Sequence, residues 1–195
     1  MSGLASAAPA TRRVDVRDRV AGAVYVGRAA PRAGLAGSPF ANPFRVDVDG
    51  SRDDVVARYR EWILGEPGLL GRLHELHGRP LACWCPPGLA CHADVLAALV
   101  EAEATLRGLV EAGVRVEVAG DRLRLHPADP AATLEEKLVE RARRYKAEIR
   151  GLLATVPPLP DPRETWLAAV DRLAETVHVP PEILADLRAA KVKWS

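Results

Sequence analysis

The chain has 195 residues, enough for one ordinary domain or two small ones, and 48% of them are hydrophobic, which supplies a core and excludes wholesale disorder. Its formal net charge is +1, from 27 basic and 26 acidic residues mixed in both halves, which argues against a strongly basic, sequence-blind nucleic-acid binder. No apolar run approaches the roughly 20 residues that cross a bilayer. The Ala-rich N-terminus lacks the charged start and apolar segment of a secretory signal. Three cysteines, an odd number clustered between positions 83 and 91, read as a reduced cytoplasmic site rather than a disulfide framework.

In chain order, residues 1–11 are expected to form a flexible tail. Val14-Asp15-Val16 predicts a short edge strand, and Ala23 to Val26 a second one running into Gly27-Arg28. A long Gly/Pro/Ala-rich loop carries Ser38-Pro39 and Asn42-Pro43-Phe44. Ser51 with Asp54 predicts a capping box for a helix whose face is Val55, Tyr59, Trp62 and Ile63. Leu69, Leu70, Leu73 and Leu76 mark a further helical piece. Leu81 to Cys85 reads as a buried strand, ended by Pro86-Pro87-Gly88. From Ala93 the apolar residues Val95, Leu96, Leu99 and Val100 fall on one helix face.

Beyond residue 102 the texture changes. The spacing predicts a short helix over 105–112, closed by Gly113. Val114, Val116 and Val118 alternate with polar residues, Ala119-Gly120-Asp121 turns the chain, and Leu123 and Leu125 alternate again, which predicts a β-hairpin over 114–126. Thr133 with Glu136 predicts a capped helix reaching Leu152. Residues 155–160 read as a Pro-rich linker and 161–195 as a helical tail. The expected fold class is α/β: a small Rossmann-like domain with a parallel or mixed sheet at 12–102, a small α–β-hairpin–α module at 103–154, and C-terminal helices.

The chemistry concentrates where the 81–85 strand hands over to the next helix. In open α/β sheets ligands bind at such carboxyl ends. A helix N-terminus there favours an anion, lowers a cysteine pKa and tends to keep a histidine neutral, which makes Cys91 a candidate nucleophile and His92 a candidate base. Arg28 would clamp a phosphate or carboxylate, and Gly27, Asn42, Cys85 and Asp94 complete a candidate site for a phosphate-bearing small molecule or nucleotide. The alternative is a metal: Cys83, Cys85, Cys91 and His92 add up to a three-sulfur, one-nitrogen zinc set. Its spacing is unusual, since structural zinc pairs stand two to four residues apart and adjacent helical positions diverge by about 100°. Cys83 and Cys85 on one strand stand too far apart for a comfortable disulfide, and the blandest reading of Cys83 is packing as a small apolar residue. His74 and His77, and the basic stretch from Arg141 to Arg150 with its interleaved glutamates, read as solvated faces.

Two resemblances follow from these motifs. Val24-Tyr25-Val26-Gly27-Arg28, Asn42-Pro43-Phe44, Tyr59 with Trp62, Leu81-Ala82-Cys83-Trp84-Cys85 and Cys91-His92-Ala93-Asp94-Val95-Leu96 make residues 12–100 resemble domain of unknown function 4326. That family occurs in bacteria and phages and carries no assigned activity; Ala93 stands where glycine is the commoner residue. Residues 103–154, through Leu109-Val110-Glu111-Ala112-Gly113-Val114 and Gly120-Asp121-Arg122-Leu123, are similar to the TubC N-terminal docking domain. This implies a protein partner at the hairpin edge, although no synthase domain accompanies it. Three function classes therefore stand: a phosphate-ligand or nucleotide site with possible chemistry, a non-catalytic adaptor with structural or zinc-bound cysteines, and a nucleic-acid-binding protein.

Overall fold

The computed structural model describes residues 10–129 and 133–155, which belong to one compact unit. The N-terminal tail, the Pro-rich linker and the C-terminal helices expected from the sequence lie outside the described residues, apart from positions 10, 11 and 155. The architecture is mixed α/β. Three short strands, β1 (Arg12–Asp15), β2 (Val24–Tyr25) and β3 (Pro80–Cys83), form a parallel sheet in the order β1-β3-β2. The register sets Val14 and Tyr25 on either side of Ala82. Leu81, Ala82 and Cys83 are all buried, as the continuous apolar run of a central, doubly covered strand requires.

Between β2 and β3 lie α1 (Arg52–Leu64) and the short α2 (Pro67–Leu70). The Ser51–Asp54 capping box forms as expected: the Ser51 hydroxyl accepts from the Asp54 amide, and the Asp54 carboxylate accepts from the Ser51 amide at 2.9 Å. The buried face of α1 is Val55, Tyr59 and Ile63. Trp62, expected on that face, is only partly buried and stacks at a tilt against Tyr59.

After β3 the chain enters α3, which runs unbroken from His92 to Glu111. The separate helix expected at 105–112 is the second half of this one element. Nothing between Val100 and Leu106 breaks a helix, and Glu101-Ala102-Glu103-Ala104 are strong helix formers. Gly113, at φ 70°, then reverses the chain into the hairpin β4 (Val114–Ala119) and β5 (Arg122–Pro127), paired antiparallel with Val116 opposite Leu125. Gly120, at φ 62°, makes the turn. The expected capping box at Thr133 is not formed: α4 begins at Glu136 with no side-chain cap. The single helix expected up to Leu152 bends at Tyr145, whose backbone (φ −102°, ψ 24°) departs from helical values, so that α4 (Glu136–Arg144) and α5 (Lys146–Thr155) turn Ala142, Ile149 and Leu152 into the core.

One core runs through all of this, joining Leu81, Leu96 and Ile63 to Leu109, Val114, Ile149 and Leu152. Glu101, buried on α3, accepts from the Thr11 amide at 2.7 Å and from Arg141 at 3.1 Å, which ties the start of β1 to α4. At Gly151, α5 lies so close to α1 that an added Cβ would meet Leu64 at 3.0 Å. No helix among the described residues is long and apolar enough to cross a membrane.

Candidate metal centre

The carboxyl ends of β2 and β3 and the start of α3 converge on one point. Cys83 is the last residue of β3; the chain bends at Trp84 and Cys85 follows, so both sulfurs lie on one side, 3.5 Å apart. Pro86-Pro87-Gly88 turns the chain back, with Gly88 at φ 77°. Cys91 is the N-cap of α3 and its sulfur accepts the Ala93 amide at 3.4 Å. Its backbone is extended (φ −144°, ψ 141°), so the divergence of about 100° that separates neighbours inside a helix does not apply. Cys91 and His92 instead converge, and the spacing that counted against a joint site is reconciled by the cap geometry.

The His92 Nδ1 atom lies 3.8 Å from the sulfur of Cys83 and 3.8 Å from that of Cys91. One ligand atom from each of Cys83, Cys85, Cys91 and His92 falls within 4.8 Å of all the others. Tetrahedral zinc with Zn–S bonds near 2.3 Å requires sulfurs about 3.8 Å apart, so the set is already close to that size. All three cysteines are free thiols.

The surroundings fix the histidine. Its Nε2 lies 2.9 Å from the Val26 carbonyl, which can only accept; Nε2 therefore carries a proton, and Nδ1 is the ring nitrogen that faces the sulfurs. Tyr59 packs against the ring in a T-shaped contact at 5.2 Å and is itself held by donating to the Phe40 carbonyl at 2.9 Å. Cys91 is 1% exposed and His92 6%, while Cys85 is half-buried and faces outward. Arg52 Nη1 lies 3.8 Å from the Cys85 sulfur.

Without a metal these groups share protons. Donation from Cys83, then from Cys85, and contact with His92 hold the Cys91 thiol far below its ordinary value, against the effect of burial. Donation toward Cys85 and Cys91, with burial, pushes Cys83 well up. Burial lowers His92, but Cys85, Cys91 and the Val26 carbonyl outweigh it and raise the imidazole to about 9. The metal-free cluster is thus a Cys91 thiolate beside the His92 imidazolium, with the Cys83 thiol donating to it.

A cavity of about 340 Å³ opens over the cluster. Gly27, Arg28, Asn42, Cys85, Cys91 and His92, all singled out from the sequence, line it together with Cys83. Asp94 does not line it; it pairs with Arg13 at 3.3 Å. Asn42 is a clamp: its amide donates to the Val55 carbonyl at 3.0 Å and accepts from Phe44 at 2.9 Å, fixing the long loop against α1. Gly27 is required by proximity, since a Cβ there would sit 2.5 Å from the Tyr25 hydroxyl, which donates to the Arg28 carbonyl at 2.6 Å. Arg52, Tyr25, Phe44 and Trp84 also line the cavity and were not expected there. Arg52 opens a helix, a position that carries no pocket signal.

Fold and cluster together define a small α/β domain with a three-cysteine, one-histidine cluster at the carboxyl edge of its sheet. Residues 10–102 match the family described as Domain of unknown function (DUF4326), and this segment contains all four cluster residues and the whole cavity lining. Comparison with curated proteins and with solved structures gave no match.

Proposed function

We propose that this chain is a zinc-binding protein, with the ion held by Cys83, Cys85, Cys91 and His92 as the rigid floor of a ligand pocket. The observation that carries the reading is the convergence of four soft donors within 4.8 Å, with the histidine tautomer set by the Val26 carbonyl. Thiolate-rich tetrahedral sets favour zinc over harder divalent ions. Nucleophilic chemistry at Cys91 is the weaker alternative, because its sulfur is buried and already accepts an amide.

Elemental analysis and native mass spectrometry of the reduced, unchelated protein test this directly. One zinc per chain is expected, and replacement by cobalt should give the intense visible bands of a tetrahedral thiolate site. A reduced protein that stays metal-free with one equivalent of zinc present removes the proposal.

An adaptor role through the hairpin is a second reading. It is supported by the β4–β5 sheet, which pairs with no further strand among the described residues and leaves Val118 exposed at its tip. A Val118→Lys exchange should then abolish a stable partner complex while leaving metal content unchanged.

A further inference from the structure

The cavity over the cluster has a composition of its own. Arg28 and Arg52 line it, and no aspartate or glutamate does. The Arg28 guanidinium makes no hydrogen bond or ion pair with any described residue, although it stands at the carboxyl end of β2 at the rim of an α/β sheet. Arg52 has only the Cys85 sulfur, at 3.8 Å. A zinc dication with three thiolates and a neutral imidazole carries a single net negative charge, so two arginines leave this wall positive. An arginine fork without a carboxylate partner at a cavity mouth suits a bidentate oxyanion. The amide of Ala93 in the first turn of α3 is directed to the Cys91 sulfur, so the arginines are the anion-holding groups here.

Much of the rest of the wall, away from Asn42 and the cluster, is apolar. Trp84 is 39% exposed, a large aromatic left open beside the cysteines, and Tyr25 and Phe44 also line the cavity. One face of the Trp84 indole carries the Arg17 guanidinium at 5.4 Å, and the ring lines both this cavity and a shallower one against Pro31. A volume of about 340 Å³ suits a small organic ligand rather than a bare ion or a polymer.

We propose that the cavity binds a mononucleotide, its phosphate held by Arg28 and Arg52 and its base against Trp84. The aromatic–base contact and the charged hydrogen bonds to phosphate each account for roughly tenfold in affinity or more. The proposal rests on the metal reading for the rigidity and charge of the cavity floor, and on Arg28 and Trp84 for the ligand contacts. Arg28 and Trp84 are not cluster members, so the two fail separately.

The test is calorimetric titration of the full chain, with metal content measured on the same sample. The probes are inorganic phosphate, the four ribonucleosides, their 5′-monophosphates and a short single-stranded oligonucleotide. At least one monophosphate should bind about tenfold more tightly than both phosphate and its own nucleoside. Arg28→Ala should weaken it about tenfold or more, and Trp84→Ala should bring it toward phosphate, both with the metal retained. No binding of any probe at millimolar concentration to folded, metal-loaded protein overturns the proposal. So does phosphate binding as tightly as every nucleotide, or an oligonucleotide binding tightly while Arg28→Ala leaves it unaffected. Nucleotide binding by a chain that takes up no zinc keeps this inference and removes the metal centre.

Discussion

Cys91 does two jobs that can be separated. Its sulfur caps α3 by accepting the Ala93 amide, and it stands 3.8 Å from the His92 Nδ1 as a member of the cage. Serine is among the best N-cap residues, and a hydroxyl is a poor zinc ligand. Cys91→Ser keeps the cap of α3, so the chelated variant should lose only the contact of the Cys91 sulfur with His92, about 1–3 kcal/mol, while losing nearly all of the stabilisation that zinc adds. Thermal melts of both proteins with and without chelator check this. A large loss in the chelated state would make Cys91 a packing residue rather than a ligand. The same residue shows what the sequence could not express. The residue types of the cage were legible, but Cys91 and His92 looked incompatible until Cys91 proved to be a cap with extended backbone. The Val26 carbonyl that orients His92 is a backbone group and leaves no mark in the sequence at all.

At the level of elements, α3 holds the molecule together. Its N-terminus carries two residues of the Cys/His cluster, its middle carries Glu101 between Thr11 and Arg141, and its last turns bury Thr105 and Leu109. The family match ends at residue 102, inside this helix, whereas the packing continues to α5. A fragment of residues 1–102 would lose Leu109, Val114, Ala142, Ile149 and Leu152 from the core and leave Glu101 without its arginine. Each large buried side chain removed in this way costs about 2–5 kcal/mol, more in total than a small domain has to spare. The fragment should show no cooperative melt where the full chain does; a sharp transition in the fragment would mark 10–102 as an independent domain. The strands and α1 were legible because short apolar runs, the period of two in the hairpin and a capping box are local signals. The unbroken α3 was not, because a change in composition near 102 resembled a boundary. The start of α4 at Glu136 was missed because the Thr133 hydroxyl, available in the sequence, is not used as a cap.

At the level of the whole molecule, a three-stranded sheet with strands of two to four residues has little ladder to hold its open edge. A metal joining the end of β3 to the start of α3, with His92 bound in turn to the chain leaving β2, would fasten all three elements at that edge. Its contribution should depend on pH with a definite sign. In the metal-free protein His92 keeps its proton up to about pH 9, above the ordinary 6.5. The imidazolium thus stabilises the metal-free fold fully below about pH 6.5, and this contribution disappears as the pH rises through about 9. Zinc needs the neutral ring and the thiolate of Cys83, whose proton is held more tightly than usual, so acid competes with the ion and alkali does not. Both trends act in the same direction: the gap in Tm between zinc-loaded and chelated protein should widen steadily from about pH 6.5 to about pH 9. Zinc binding measured in buffers of different ionisation enthalpy should likewise release protons, about two or more per ion near neutrality. A Tm gap that stays constant across this range, with no proton release, would mean that His92 and Cys83 do not give up protons to a metal, and the cage would then be a buried cluster of thiols held together by hydrogen bonds alone.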